Sequence, residues 1–362
     1  MRFVGALVGG LLVVGLGCST TSGQDLDQDS GIVDDDSTPP DDSTSPPGDS
    51  TTPSDSTTPP TDGATGPTTA VRLVVLPDDH GSTITNAMKG VKTSLHLEQY
   101  LLSDDTAINA LVAAKAAGKD VKVLLEHAPY PDTTANDDAY TKLKAGGVDV
   151  AWTDGKFALT HSKFFVVDGA EAWILTLNFT ASGLSGNREY GAVDTDPADV
   201  AQAEAIFAAD FAGAGTTPPG SLVVSPTTSR VSLRALLDGA TKSIDMEMEE
   251  LSDAEMVMRL GNAASKGLEV HVVVPGEGRS SDMDTALTTM EGRGVQVRQL
   301  ADPDVHAKAI VVDGAKLFVG SVNMTTASLD YNREVGVVTV NTDALTRAAA
   351  TIAKDFAAGT AP

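Results

Sequence analysis

The chain has 362 residues, with 50 Asp and Glu against 25 Lys and Arg, and a formal net charge of −25. Its 41% hydrophobic content is enough to build a core in more than one domain, and its single Cys excludes an internal disulfide. Eleven of the acidic residues but only one basic residue fall in residues 1–70, so the body beyond them is acidic as well. That balance argues against non-specific nucleic-acid binding, which depends on Lys and Arg neutralising phosphates.

The amino terminus reads as an export signal. Arg2 is followed by an uncharged, mostly aliphatic run of 15 residues, Phe3 to Gly17, too short to span a bilayer comfortably. It ends at Cys18. The stretch Val14-Gly15-Leu16-Gly17-Cys18 resembles a bacterial lipoprotein processing site, which implies that residues 1–18 are a signal peptide, that Cys18 is lipidated, and that the body is held at a membrane. Ser19 after the Cys resembles an outer-membrane address, so the expected location is the cell envelope or the exterior. Residues 19–70 form an expected tether. From 24 to 69 they are Asp, Ser, Thr, Pro and Gly almost throughout, a composition that buries too little apolar area to offset the entropy of ordering.

Residues 71–362 are one unit written twice, as halves 71–215 and 221–362 with a Gly- and Pro-rich break at Gly213–Gly220. Ser94-Leu95-His96-Leu97-Glu98 aligns with Ser243-Ile244-Asp245-Met246-Glu247 at an offset of 149, and Leu102-Ser103-Asp104 with Leu251-Ser252-Asp253. The offset then falls to 145, so the first half carries four extra residues between about 127 and 160, a surface loop by composition. In chain order the first half predicts a helix over 85–93, a strand over 94–100, a helix over 105–117 stopped by Gly118, and a buried strand over 121–126. A helix over 139–145, a strand over 148–152, a motif strand over 160–167 and another over 172–177 follow, and the second half repeats the series. Alternating helices and strands of this length imply an α/β fold, each half a mostly parallel mixed sheet flanked by helices.

The duplication concentrates chemistry. His161-Ser162-Lys163 is followed after four residues by Asp168, and His306-Ala307-Lys308 by Asp313 in the same way. Asn178 and Asn323 recur at one offset, then Asn187-Arg188-Glu189 and Asn332-Arg333-Glu334. Alternate side chains of a strand share a face, so each His and its Lys project together. A pseudo-two-fold body can set the two motif strands side by side and collect two imidazoles, two ammoniums and two carboxamides. Asp168 and Asp313, beside Gly169 and Gly314, are expected to hold strand-end turns. Glu98 and Glu247 recur on strands and are expected to be solvated or structural, and Met246, Met248, Met256 and Met258 to pack the core. His80, His96, His127 and His271 lack metal-ligand spacing and Cys partners, so no zinc site is expected, and no cofactor is called for.

Paired His-x-Lys-x4-Asp motifs resemble those of the phospholipase D superfamily. The second copy fits fully, including Gly320-Ser321-Val322-Asn323; in the first, Leu175-Thr176-Leu177-Asn178 keeps the Asn, has Thr in place of Ser, and lacks the Gly. The resemblance implies one active site built from both halves, a covalent phosphohistidine and no metal. It assigns His161 as nucleophile and His306 as general acid, roles that the residues themselves leave interchangeable. Lys163, Lys308, Asn178 and Asn323, with the hydroxyls of Thr176 and Ser321, would hold the non-bridging oxygens as charge spreads in the transition state. Glu189 and Glu334, each 28 residues after a motif His, would orient imidazole through Nδ1. The implied activity is hydrolysis of a glycerophospholipid such as phosphatidylcholine to phosphatidate and a free alcohol, by a monomer. Two alternatives stay open: a secreted nuclease, with Arg188 or Arg333 lining a positive groove, and an inactive envelope protein that binds a phosphate-bearing ligand. Head-group choice is expected to reside in residues 127–158 and 276–290.

Overall fold

A computed structural model describes residues 66–362. The signal peptide, Cys18 and most of the tether lie outside the described residues. Residues 68–70 belong to the body: Val340 N–H donates to Thr68 O at 3.0 Å, and Asn341 Nδ2 to Thr69 O at 2.8 Å.

The first half runs β1 (Val71–Leu76), α1 (Ser82–Lys89), β2 (Ser94–Gln99), α2 (Asp105–Ala116), β3 (Asp120–Leu125) and α3 (Asp137–Ala145). It continues with β4 (Asp149–Trp152), β5 (Lys163–Val167), β6 (Glu171–Leu175), α4 (Ala181–Ser185), β7 (Asn187–Asp194) and α5 (Pro197–Phe211). The second runs β8 (Val223–Ser225), α6 (Ser229–Asp238), β9 (Ser243–Met248), α7 (Ala254–Ser265), β10 (Glu269–Pro275) and α8 (Ser281–Glu291). It ends with β11 (Gln296–Leu300), β12 (Asp304–Val305), β13 (Lys308–Val312), β14 (Lys316–Gly320), α9 (Thr326–Asp330), β15 (Glu334–Thr339) and α10 (Thr342–Ala358). The repeat is visible in the caps: Asp104 and Asp253 each accept backbone N–H groups at the start of α2 and α7. Gly118 and Gly267 take the positive φ values of +80° and +94° that turn the chain out of those helices.

Each half contributes a mixed sheet, in the orders β1-β7-β6-β5-β2-β3-β4 and β11-β10-β9-β13-β14-β15-β8. The parallel share is smaller than the mostly parallel reading. Parallel ladders join β2, β3 and β4, and β9, β10 and β11, where helices make the crossovers. The motif strands instead join by short turns and pair antiparallel, β5 with β2 and β6, and β13 with β9 and β14.

The motif strands are apolar at nearly every position because both of their faces are covered. Phe164 and Val166 enter a core shared by the two halves, whereas Phe165 and Val167 face the first half's own helices. Ala309 and Val311 enter the same shared core, and Ile310 and Val312 face the second half's helices. Helices α5 and α10 lie in the seam and contribute Ile206, Phe207, Ala348 and Ile352 to the shared core.

Two buried ion pairs cross this seam reciprocally. Arg188 Nε reaches Asp355 Oδ2 of α10 at 2.5 Å, and Arg333 Nε reaches Asp210 Oδ2 of α5 at 2.8 Å. The guanidiniums are 1% and 0% exposed, so neither Arg lines a substrate groove, contrary to the role they would have had in a nuclease. Glu98 and Glu247 accompany these pairs and are wholly buried rather than solvated. Burial, with the charge of Asp355, pushes the Glu247 carboxyl up to about 8. Burial, with the charge of Asp210, raises Glu98 in the same direction.

Breaking one partner of a seam pair leaves the other charge buried and alone. Arg333→Ala is therefore expected to cost about 3–5 kcal/mol of stability in a denaturant titration. Glu247 holds its proton in the folded state up to about 8 but releases it near 4.5 when unfolded, so this group lowers stability as pH rises between those values. Unfolding curves at several pH values should show Glu247→Gln flattening that decline.

Candidate active site

The motif strands begin at Lys163 and Lys308, not at 160 as the sequence pattern suggests, because the His-bearing segments leave their own sheets. His161 N–H donates to Arg333 O at 2.9 Å, and Arg333 N–H to Leu159 O at 2.8 Å. In the other copy β12 pairs with β7 in parallel, and His306 N–H donates to Arg188 O at 3.3 Å. The two motif strands do not pair with each other; each motif's leading edge pairs with the opposite half.

That exchange delivers each Glu to the opposite copy's imidazole. His161 Nδ1 lies 2.9 Å from both carboxylate oxygens of Glu334, and His306 Nδ1 lies 2.7 Å from Glu189 Oε1. All four side chains are buried. The lysines are fully buried too and fold back on their own motifs, each Nζ donating to its His carbonyl at 2.9 Å.

From there the copies diverge. Lys163 Nζ is 2.8 Å from His161 Nε2 and 4.9 Å from the centre of the Tyr100 ring, which itself meets His161 edge-on at 4.7 Å. Lys308 Nζ lies 2.6 Å from Glu249 Oε2, the residue that aligns with Tyr100. Glu249 also accepts from Asn323 Nδ2 at 3.1 Å and places Oε1 3.3 Å from His306 Nε2. Asn178, the counterpart of Asn323, has both side-chain polar atoms buried with no hydrogen-bond partner among the described residues.

The hydroxyls are placed differently from the expectation. Thr176 Oγ1 donates to Glu189 and accepts from Tyr190 N–H at 2.9 Å; Ser321 Oγ accepts from Val335 N–H at 3.1 Å. Both bind strand backbone, and Thr176 also braces the acid that faces His306. In the second copy Ser328 braces the acid instead, donating to Glu334 Oε1 at 2.6 Å, and Asn332 Nδ2 adds a 3.4 Å contact. Tyr100, Glu249 and Ser328 were not singled out from the sequence. The signal for Glu249 is faint, because Gln99-Tyr100-Leu101 aligns with Met248-Glu249-Glu250 and all three positions differ between the copies.

Asp168 and Asp313 sit in the turns at the far ends of β5 and β13, at φ values of +56° and +55°. Each carboxylate accepts from three consecutive backbone N–H groups, Lys92 to Ser94 or Thr241 to Ser243. Partial burial opposes ionisation at both, but these donors outweigh it and hold both carboxyls low, Asp313 at about 2.

A cleft of about 890 Å³ opens on His161, Asn323 and Glu334. Its walls come largely from α7, α8 and α9, with Met258 and Tyr331 at 39% and 60% exposure, so Met258 is a wall residue rather than core. Glu250 and Asp282 line it, and no lining residue is Lys or Arg. Of the two regions expected to surround the site, 276–290 contributes through α8, but 127–158 contributes only Ala158. The first half's extra loop packs down instead. Asn136 is buried and bonds Tyr100 O, Glu126 O and Leu102 N–H, and Tyr130 N–H donates to the Tyr100 hydroxyl at 2.8 Å. Among the described residues no group of three or more His, Cys, Asp or Glu side chains is arranged to hold a metal ion.

A family model described as cardiolipin synthase, PLD-like domain, matches residues 84–211 and 233–358. The chain belongs to the phospholipase D superfamily. It is 27% identical over 257 residues to polyphosphate kinase of Yersinia pestis, covering 65% of this chain and 36% of that protein. It is 23% identical over 319 residues to cardiolipin synthase 1 of Bacillus cereus, covering 74% of this chain and 62% of that one. The chain thus spans about a third of the kinase and less than two thirds of the synthase. Its fold is that of phosphatidylserine synthase from Haemophilus influenzae (TM-score 0.62, 12% identity, 81% and 87% of the chains covered). It is shared as well with polyphosphate kinase from Porphyromonas gingivalis (TM-score 0.62, 15% identity, 78% and 49% covered). The two sheet-and-helix halves are the two PLD-like domains of this superfamily.

Glu334→Gln keeps the shape of the group facing His161 but removes its charge. It is expected to lower the turnover proposed below by about 10²–10⁴-fold, with an unchanged circular-dichroism melt separating this from unfolding.

Proposed function

We propose that this chain is a metal-independent phosphodiesterase of the phospholipase D type, which hydrolyses glycerophospholipids to phosphatidate and a free alcohol. The observation that carries the reading is the unlike setting of the two imidazoles. His161 presents Nε2 to the Lys163 ammonium, which can only donate, so that nitrogen carries a lone pair while Nδ1–H faces Glu334. His306 has a carboxylate beside each ring nitrogen, a setting suited to a ring protonated at both. A neutral nucleophile and a charged acid are the two forms the reaction requires.

The residues then perform two displacements. His161 Nε2 attacks phosphorus, the bond to the leaving oxygen breaks, and His306 gives that oxygen its proton. His306, now neutral, takes a proton from water as the water oxygen attacks the phosphohistidine, releasing His161 and phosphatidate. An alcohol in place of water gives the transfer product, a variant supported by the synthase names of two relatives. Lys163, Lys308, Asn178 and Asn323 hold the non-bridging oxygens, which requires Lys163 to turn from Nε2 and Lys308 from Glu249.

Two features favour a phospholipid over nucleic acid. The cleft wall carries carboxylates and hydroxyls but no Lys or Arg, and Arg188 and Arg333 are spent within the seam. The sequence of the amino terminus, with its expected export signal and Cys18, supports action at the cell envelope through a lipid anchor.

The test is incubation with chelator of the wild type, His161→Ala and His306→Ala against phosphatidylcholine vesicles and, in parallel, single-stranded DNA. Head-group release by the wild type alone is expected. After rapid denaturation at neutral pH, which spares the acid-labile P–N bond, intact-mass analysis of a single turnover should find a phosphatidyl adduct on His306→Ala and none on His161→Ala. DNA cleavage without head-group release would move the function to a nuclease, and phosphodiester binding without turnover to an inactive binder.

A further inference from the structure

The repeat places Tyr100 and Glu249 at the same point after β2 and β9, 149 residues apart. In the first copy the lysine faces an aromatic ring, and Asn178 keeps two buried polar atoms without a hydrogen-bond partner among the described residues. In the second copy a carboxylate touches His306, Lys308 and Asn323 together. Under the reading above, Lys308 and Asn323 are the second copy's donors to the non-bridging oxygens, and His306 is the acid at the leaving oxygen. The two oxygens of Glu249 therefore stand on donors meant for two oxygens of a phosphate.

We propose that Glu249 is a charge-selecting residue: its carboxylate occupies the second copy's oxygen-binding donors at rest and discriminates against phosphates carrying two negative charges, in favour of the singly charged diester. The proposal rests on the phosphodiesterase reading for the identity of the substrate. The physical basis is Coulombic. An incoming phosphate must take Lys308, His306 and Asn323 from Glu249, and then remain beside a displaced carboxylate in a buried, weakly screened site. The repulsion doubles when the phosphate carries two charges instead of one. Glu250 and Asp282 on the cleft wall add to it, and no Lys or Arg there offsets it. Hydrolysis converts a diester with one charge into a monoester with nearly two at neutral pH, since the second phosphate proton leaves near pH 6. The same residue that admits the substrate therefore helps to eject the product.

The test measures anion binding without turnover. Isothermal calorimetry at pH 8, with the full chain, compares inorganic phosphate, mainly a dianion there, with diethyl phosphate, a monoanion. The proteins are the wild type, Glu249→Gln and Glu249→Tyr, the last restoring the side chain of the first copy in case the Gln variant fails to fold. Removing the charge is expected to tighten inorganic phosphate by about tenfold or more and diethyl phosphate clearly less. Equal tightening of both anions, or none, overturns the proposal. So does loss of turnover with both affinities unchanged, which would make Glu249 a residue the reaction needs rather than one that selects. If the wild type turns over no phosphodiester, the functional reading fails, while the ratio of the two affinities still decides the role of Glu249.

Discussion

The structure depends on an exchange of backbone between its halves. Each His-bearing segment abandons its own sheet before the motif strand starts and hydrogen-bonds to the backbone of the Arg in the other half's Asn-Arg-Glu sequence. Everything at the site follows from that crossing. The Glu of each copy arrives at the His of the other, and the Arg between them turns inward to an Asp on the opposite seam helix. Neither half alone could satisfy these groups. A guanidinium at 0–1% exposure needs its carboxylate, and that carboxylate is on the other half. Docking of the halves and assembly of the site are thus one event.

Within that shared frame the two copies have been differentiated at a few positions. The first-copy loop around Asn136 and Tyr130 closes down on Tyr100, which walls off one side of the centre. The second copy lacks those residues and leaves α7, α8 and α9 to form the open cleft. The same strand-end position that carries an aromatic ring on the closed side carries a carboxylate on the open side. The differentiation is electrostatic as well as steric, and it leaves the two imidazoles in unlike surroundings although their motifs match.

The acidity of the chain has a local meaning beyond its net charge. The motif lysines are buried, and the cleft that opens on His161 is lined by Glu250, Asp282 and hydroxyls. A polyanion gains nothing along such a wall.

The sequence by itself determined the duplication, the α/β class, the pairing of His with Lys, and the placement of Asp168 and Asp313 in turns. Those features come from local periodicity, from spacing within one strand, and from glycines beside a turn, all of which are written in consecutive residues. Only the tertiary structure decided that Glu334 serves His161 and Glu189 serves His306, because that depends on which strands pair across the seam. It alone decided that Arg188 and Arg333 are buried struts, that Thr176 and Ser321 bind backbone and a carboxylate, and that Met258 faces a cleft. It alone seated Glu249 on Lys308. Long-range contact is settled by which surfaces bury each other and by what a buried charge can find nearby, and neither is encoded in the spacing of neighbours along the chain.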